Sequence, residues 1–403
     1  MLKALVAVVA TLALAPAAAA GAKEADVRFA TFNASLNRSF AGQLSADLST
    51  SANAQARNVA ETIQRVRPDV ILINEFDYDA AGTALRLFQD NYLSISQNGA
   101  AQIRYPYRFA AESNTGIPSG FDFNNNGVIG GPDDAYGFGF YPGQFGMAVF
   151  SMFPIDPTGI RTFQKFLWKD MPGALLPDDP ATPAPQDWYS PAELNVFRLS
   201  SKSHWDLPIL VNGRVVHFLT SHPTPPVFDG PEDRNGTRNF DEIGFWADYI
   251  APWSSTYIYD DQGRRGGLAF GSRFVIAGDQ NSDPLDGDSI PGAIQQLLDH
   301  WLVNPHKPPA SLGAVEQDAL QGGINLTHRS NPMFDTADFA DNAPGNLRAD
   351  YVLPSRFIRI TDSGVFWPLM SDPLFRLVGT FPFPTSDHRL VWSDLQLGPG
   401  SAG

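Results

Sequence analysis

Three consecutive segments decide the fold: VRFATFN at residues 27–33, QARNVAETIQRVR at 55–67 and DVILINE at 69–75. The first alternates apolar and polar residues, which predicts a strand. In the second, apolar residues recur at the spacing of one helical face, and Pro68 ends the helix. The third is a nearly continuous apolar run that ends in a carboxylate. A strand, a helix and a strand in such close succession predict a βαβ unit whose strands are parallel.

Outside this unit, the chain shows the same kinds of signal. Asn212-Gly213 stands between two apolar runs and is a strong hairpin signal. Other patterns predict strands at 145–151, 273–279, 350–353 and 387–395, and helices at 242–250 and 290–302. Parallel units and hairpins together predict a layered α/β fold with mixed sheets.

The composition excludes several classes of protein. Of the 403 residues, 43% are hydrophobic and 18% are charged, which excludes a disordered chain, a coiled coil and a protein with many membrane spans. There is no cysteine, so neither disulfides nor thiolate metal sites can form. Any metal must therefore be held by oxygen and nitrogen ligands, which favours Mg²⁺, Mn²⁺ or Ca²⁺. The formal net charge of −15 gives no basic footprint for nucleic acid, although a local groove can differ from the average.

The N-terminus has the order of a secretory signal peptide. Lys3 is followed by an apolar run over residues 4–14, then by Pro16 and the small residues Ala17–Ala20. The apolar run is too short to span a bilayer. We therefore expect residues 1–22 to be removed and the domain at 23–403 to be secreted or periplasmic, without stable membrane insertion. The alternative is an N-terminal anchor helix.

Polar residues stand at the ends of the predicted strands. In layered α/β folds, the loops beyond the strand ends carry the functional site. Any one of these residues could be a turn residue, a cap or a solvated strand end, but their joint occurrence predicts a single site. They are Asn33, Glu75, His222, Asp279, Asn281, Asp350, Asp387 and His388.

The motifs around these residues resemble those of the endonuclease/exonuclease/phosphatase superfamily. This superfamily includes DNase I-like nucleases, inositol phosphatases and bacterial sphingomyelinases, and this chain resembles a secreted bacterial type. The resemblance spans residues 27–395 and implies a four-layered α/β sandwich with two facing mixed β-sheets. It rests on TFN at 31–33, INE at 73–75, SHP at 221–223, GDQN at 278–281, DYVLPS at 350–355 and SDH at 386–388.

The resemblance also implies a metal centre. Asn33 and Glu75 match the Mg²⁺ site of the superfamily, which Mn²⁺ could also occupy. Asp387 would ligate the metal or support it electrostatically. A hard divalent cation prefers such oxygen ligands and completes its shell with water and substrate phosphate.

The remaining motif residues match the catalytic groups of the superfamily. Asp279 would handle the proton of the water or of the leaving group, and Asn281 would bond a phosphoryl oxygen. His388 matches the terminal histidine, with Asp350 orienting its ring, and His222 would protonate the leaving oxygen. The implied reaction is in-line attack of water on phosphorus.

Residues 122–133 (DFNNNGVIGGPD) resemble a calcium loop of the EF-hand type, within a longer insertion at about 112–143. Asp122, Asn124 and Asn126 fall at loop positions 1, 3 and 5, and the carbonyl of Val128 at position 7. Position 12 is Asp133, where glutamate is usual, and helices do not flank the loop. A structural Ca²⁺ site is the expectation, and an Asn/Gly-rich surface loop is the alternative.

Together these features predict a secreted, metal-dependent phosphoesterase that acts as a monomer on small phosphate mono- or diesters. The acidic net charge favours a small ester over long nucleic acid. An extracellular DNase I-like nuclease is the first alternative, because it needs only a local groove lined by arginine. A non-catalytic binding protein on the same scaffold is the second, because a fold does not fix a function.

Overall fold

The computed structural model describes residues 26–398, so the signal peptide predicted at 1–22 lies outside the described residues. The strands are β1 Asp26–Leu36, β2 Val70–Phe76, β3 Tyr107–Phe109, β4 Met147–Ser151, β5 Arg161–Thr162, β6 Trp205–Val211, β7 Arg214–Thr220, β8 Phe274–Asp279, β9 Ala337–Asp338, β10 Asn346–Leu347, β11 Asp350–Pro354, β12 Arg359–Val365 and β13 Val391–Gln396. The helices are α1 Gln43–Asp47, α2 Ala54–Val66, α3 Thr83–Phe88, α4 Pro191–Leu194, α5 Arg234–Ile250, α6 Gln295–Leu298 and α7 Leu312–Gln321.

The first sheet contains six strands in the order β12-β13-β1-β2-β4-β3. Its β1 and β2 pair in parallel and are joined through α2, which confirms the predicted βαβ unit. The other neighbours in this sheet are antiparallel. The helix α2 begins with the Asn53 side chain accepting a hydrogen bond from the Ala56 amide and ends at Arg67, whose backbone is left-handed.

The second sheet has the order β11-β8-β7-β6-β5, and only its β7 and β8 are parallel. The hairpin between β6 and β7 turns at Asn212-Gly213, as predicted. Both turn residues have positive φ (50° and 77°), which is what a two-residue hairpin turn requires and why asparagine and glycine occupy it.

The two sheets face each other across one apolar layer. Phe29 of β1 contacts Phe218 of β7 with ring centroids 5.4 Å apart, which joins the sheets at their centre. On the outer faces, Ile63 of α2 packs on the first sheet and Trp246 of α5 packs on the second. Each fully buried side chain of this size stabilises the fold by about 1.5–3 kcal/mol. The molecule is therefore the four-layered α/β sandwich expected from the sequence.

Several sequence predictions differ from the structure in extent. The helix predicted at 290–302 is only α6; the backbone of Gly292 has a φ of 95°, so a helix cannot run through this residue from 290. The helix predicted at 242–250 begins earlier, at Arg234. The strand predicted at 387–395 begins at Val391, and the residues before it form a loop. In residues 26–398, no helix is both long enough and apolar enough to cross a membrane.

A buried histidine fixes the loop that leads into β6. The Nδ1 atom of His204 lies 2.9 Å from the Ser200 hydroxyl, and its Nε2 atom lies 2.9 Å from the Glu242 carbonyl oxygen. The ring packs against Phe245 and Trp246. Burial lowers the pKa of His204 to about 4, so the folded protein holds this side chain neutral.

We predict that His204 makes the fold sensitive to acid. The unfolded chain takes up a proton at this histidine near pH 6.5, whereas the folded chain does so only near pH 4, so its contribution to stability falls as the pH drops through that window. His204→Gln lacks this titrating group. The difference in unfolding free energy between the wild type and this variant should therefore shrink by about 3 kcal/mol from pH 7 to pH 4. Urea denaturation at both pH values measures the gap. A constant gap would contradict the neutral, buried histidine.

Candidate active site

Strand register places three candidate residues of the second sheet side by side. In the parallel pair of β7 and β8, Thr220 lies opposite Ala277. His222 and Asp279 each come two residues later, so they lie next to each other. In the antiparallel pair of β8 and β11, Asp279 lies directly opposite Asp350. The hydrogen-bond ladders of this sheet thus set the spacing of two carboxylates and one histidine.

The first sheet contributes its residues at the same edge. Asn33 of β1 lies opposite Asn74 of β2. Glu75 is the next residue of β2, so it lies beside Asn33. The loop that carries Asp387 and His388 precedes β13, which pairs with β1. A hydrogen bond of 2.9 Å between the hydroxyls of Ser35 and Ser386 joins that loop to the end of β1.

One carboxylate oxygen is the meeting point of both sheets. The Oδ2 atom of Asp279 accepts a hydrogen bond of 3.0 Å from the Asn33 side-chain amide. The Nε2 atoms of His222 and His388 lie 3.4 Å and 3.5 Å from the same oxygen. These two distances are longer than strong hydrogen bonds. Asp279 is buried, and this burial raises the pKa of its carboxyl to about 6.

The two histidines differ in their electrostatic surroundings. The Nδ1 atom of His388 lies 2.8 Å from Oδ2 of Asp350, which also accepts a hydrogen bond from the Thr336 hydroxyl. Burial lowers the pKa of His388, but the Asp350 and Asp279 carboxylates outweigh it and raise the pKa well above its usual value. Burial and the nearby Lys202 charge lower the pKa of His222 far below its usual value. At neutral pH, His388 is therefore charged and His222 neutral.

Two site residues have backbone conformations that are uncommon outside glycine. The φ angles of Glu75 and Asn281 are 57° and 51°, and such conformations concentrate at functional sites. Gly278 has a φ of 150°, and a Cβ atom there would lie 1.9 Å from the Ser221 carbonyl oxygen. Only glycine allows this close approach of β8 to the end of β7, which explains the glycine of the GDQN motif.

Asn281 is held in place by both of its amide groups. Its backbone N–H donates to Oδ1 of Asp279 (2.9 Å), and its side-chain amide donates to the Pro223 carbonyl oxygen (3.1 Å). A side-chain amide has two N–H groups, and this second bond uses one of them. The contact with Pro223 also ties Asn281 to the loop that carries His222.

The residues at this edge suit a divalent cation. Glu75 accepts a hydrogen bond of 3.1 Å from the Asn33 amide, and burial together with the Asp387 charge raises the pKa of Glu75. Two carboxylates that repel each other in a buried polar site are stabilised when a cation lies between them. A second group has ligand atoms within 4.8 Å of one another and could also hold an ion; it consists of Asp279, Asp350 and His388.

Lys202 is a site residue that the sequence did not reveal. It is buried in the loop before β6, and the carboxylates of Glu242, Glu75 and Asp279 act on its charge. Burial lowers the pKa of Lys202. In the sequence, Lys202 is only a single lysine in front of an apolar strand. Most lysines in such positions are solvated, so the sequence did not predict its burial.

Glu242 of α5 connects two of the loops at this edge. Its carboxylate accepts hydrogen bonds of 2.6 Å from the backbone amides of Ser201 and Thr224. Ser201 precedes Lys202, and Thr224 lies two residues beyond His222. One buried carboxylate therefore fixes the relative position of a cation and a histidine of the site.

The predicted calcium loop is closed by its own side chains. The two carboxylate oxygens of Asp122 accept hydrogen bonds from the backbone amides of Asn126 (3.0 Å) and Gly127 (2.7 Å). The side-chain oxygen of Asn124 also accepts from the Asn126 amide, and that of Asn126 accepts from the Val128 amide. These are local turns that an asparagine-rich loop forms by itself. Binding of Ca²⁺ here stays a prediction.

Asp134, the residue that follows the predicted loop, makes the hydrogen bonds that tie the loop together. Its carboxylate accepts hydrogen bonds of 2.8 Å from the amides of Phe123 and Gly130. Asp133, the residue predicted as a ligand, lines a cavity next to the site.

Facing mixed sheets that bring carboxylates, an amide and two histidines to one edge define a protein of the DNase I-like fold. The chain belongs to the Endonuclease/Exonuclease/phosphatase family, whose model matches residues 30–388. Proteins of this family generally hydrolyse phosphoester bonds, and many use divalent metals. No curated protein sequence matches the chain.

Several solved structures are similar to the chain. An endonuclease/exonuclease/phosphatase from Beutenbergia cavernae DSM 12333 is 16% identical, with a TM-score of 0.49, over 93% of this chain and 72% of that one. Sphingomyelinase C from Streptomyces griseocarneus is 16% identical, with a TM-score of 0.44, over 92% of this chain and 99% of that one. Truncated TDP2 from Caenorhabditis elegans is 14% identical, with a TM-score of 0.43, over 92% and 98%.

We predict that Asp350 keeps His388 charged. In Asp350→Asn the amide keeps the size of the side chain but removes the negative charge, so the pKa of His388 should fall clearly toward its usual value. NMR titration of the ring in metal-free protein measures this pKa, and the ring of His300, outside the site, serves as the control. An unchanged pKa for His388 would mean that the ion pair does not control its charge.

Proposed function

We propose that the chain is a metal-dependent phosphoesterase that hydrolyses small phosphate mono- or diesters by in-line attack of water. The observation that supports this most is the convergence of Asn33, His222 and His388 on one buried oxygen of Asp279. A buried carboxylate between two histidines suits proton transfer.

A divalent cation would be held by Asn33, Glu75 and Asp387, as the sequence predicts, with Mg²⁺ or Mn²⁺ as the expected ion. The mutual repulsion of Glu75 and Asp387 supports this assignment. When bound, the metal polarises a phosphoryl oxygen and neutralises charge that develops in the transition state.

Protons would move through Asp279 and His388. The carboxylate of Asp279 has a pKa of about 6, so it is mostly ionised at neutral pH and can take a proton from the attacking water. As the bond between phosphorus and the leaving oxygen breaks, the charged ring of His388 can donate a proton to that oxygen. Asp350 holds the ring and stabilises its charge.

Three further groups would bind the phosphoryl oxygens. Lys202 supplies a buried positive charge, and Asn281 supplies the N–H group that Pro223 does not use. His222 is neutral in the protein alone, and a bound phosphate would favour its protonated form. This role differs from the sequence-based prediction, in which His222 protonates the leaving oxygen; the opposite charge states of the two histidines favour His388 for that step.

The acidic net charge of −15 supports a small ester as substrate, since it would slow the approach of a long polyanion.

We also propose that the protein is exported and monomeric. Export is supported by the order of charged, apolar and small residues at 1–22. The extracellular nuclease is the competing activity and is distinguished by the assay below.

We predict that His388→Ala and Asp279→Asn each lower kcat about 10²–10⁴-fold, because each removes a group that moves a proton in the transition state. Hydrolysis of bis-p-nitrophenyl phosphate, p-nitrophenyl phosphate and plasmid DNA should be compared in Mg²⁺, Mn²⁺ and Ca²⁺ separately. His306→Ala, at an exposed histidine outside the site, is the matched control and should keep full activity.

The outcomes separate the competing functions. Faster hydrolysis of the small esters, lost in both site variants, supports the proposal. Rapid cleavage of DNA with little activity on the small esters would make the chain a nuclease. Equal rates for the wild type and both site variants would contradict the assignment of Asp279 and His388.

A further inference from the structure

A cavity of about 510 Å³ opens directly beside the proposed catalytic groups. Glu75, Lys202 and His222 line one end of it. The rest of its wall comes mainly from the 112–143 insertion, from the segment between β5 and β6, from the loop after β7 and from the start of α5. This volume lies within the range of roughly 300–1,000 Å³ that small-molecule sites occupy.

Much of the remaining wall of the cavity is aromatic. Phe123, Tyr189 and Phe197 are buried together, and both Phe123 and Tyr189 lie 4.5 Å from Phe197 between ring centroids. At the opening, the side chains of Phe138 and Phe228 are 50% and 85% exposed. A phenylalanine exposed to that degree at the mouth of a cavity is a surface that a ligand could cover.

The insertion that carries part of this wall is anchored to the catalytic edge. The Tyr141 hydroxyl donates to Asp77 (2.6 Å) and lies 3.0 Å from the Arg38 carbonyl oxygen. The Gln144 side chain donates to the same carbonyl (2.7 Å). Asp77 is two residues beyond Glu75, so the aromatic wall has a fixed position relative to the proposed metal ligand.

Most of the polar side chains of the cavity are already paired within the protein. The Arg238 guanidinium donates to the carbonyls of Leu199, Arg198 and Tyr136, and the Asn235 amide donates to the Val227 carbonyl. Arg234 pairs with Glu232. A nucleobase would need donors and acceptors for its edges, and burying those edges without partners is costly. The wall therefore suits an apolar ring better than a base.

We propose that this cavity binds an apolar, ring-bearing substituent of the phosphate ester, while the phosphate lies against Lys202 and His222. This inference rests on the proposed function and narrows its substrate class. A cationic end continuous with an aromatic end complements an amphipathic molecule with a phosphate head and an apolar body. Aromatic walls favour rings through edge and offset contacts as well as through area burial.

The test compares diesters that differ only in the apolar group: ethyl methyl phosphate, 2-phenylethyl methyl phosphate and 2-(1-naphthyl)ethyl methyl phosphate. Their alcohols have similar acidity, so differences in kcat/KM report binding of the substituent. We expect kcat/KM to rise about 10-fold or more from the ethyl to the phenylethyl ester. Equal values for the three esters would overturn the proposal and leave the phosphoesterase assignment intact.

Variants at the opening connect this preference to the cavity. Phe138→Ala and Phe228→Ala should each reduce the preference for the phenylethyl over the ethyl ester by about 3- to 10-fold. Val227→Trp, which fills the space from a partly exposed position, should remove the preference. Phe357→Ala is the matched control, because Phe357 is 87% exposed and lies outside the cavity. A preference retained in all three cavity variants would contradict the proposed location.

A binding measurement separates failure of this inference from failure of the proposed function. If the wild type hydrolyses neither these diesters nor the p-nitrophenyl esters, the proposed function fails, and calorimetric titration with ethylphosphonate and 2-phenylethylphosphonate then tests the cavity alone. Tighter binding of the phenylethyl compound, lost in Val227→Trp, supports the cavity, and equal binding overturns it. Faster hydrolysis of an adenosine methyl phosphate diester than of the naphthylethyl ester would overturn the choice of an apolar ring.

Discussion

The Oδ2 atom of Asp279 is the point on which the arrangement of the site depends. It lies at the end of β8 and accepts a hydrogen bond from Asn33 in β1 of the other sheet. Nitrogen atoms of two histidines from separate loops lie close to the same oxygen. A carboxylate buried in this way is costly unless opposite charge and hydrogen bonds surround it. The charged His388 ring and the Lys202 side chain supply that opposite charge. Asp279 thus couples the position of the sheets to the electrostatics of the site.

The surrounding structure fixes this carboxylate by short connections. Gly278 lets β8 approach the end of β7, and Glu242 links the loops that carry Lys202 and His222. Asp350 lies opposite Asp279 across the ladder and holds the ring of His388. Each of these contacts is buried, so the geometry is set before any substrate arrives. Such preorganisation is what electrostatic stabilisation of a transition state requires.

Much of the fold was predictable because its signals are local. The βαβ unit follows from apolar periodicity around Pro68, and the hairpin follows from Asn212-Gly213. The candidate residues were chosen because each stands at one end of a predicted strand, and the structure brings these strand ends to one edge. By contrast, β12 was missed because its exposed, polar sequence carries no apolar pattern, and Lys202 because burial of a lysine depends on contacts distant in sequence. The aromatic cavity could not be predicted from the sequence either, because its wall combines rings from three separate segments.

The central claim is that Asp279 and His388 act as one proton-transferring unit, and a double-mutant cycle tests it most directly. The kcat/KM of Asp279→Asn, His388→Ala and the double variant should be measured on bis-p-nitrophenyl phosphate. If the two residues act together, the double variant loses about as much activity as the worse single variant. If the two losses multiply, the residues act independently and the account is contradicted.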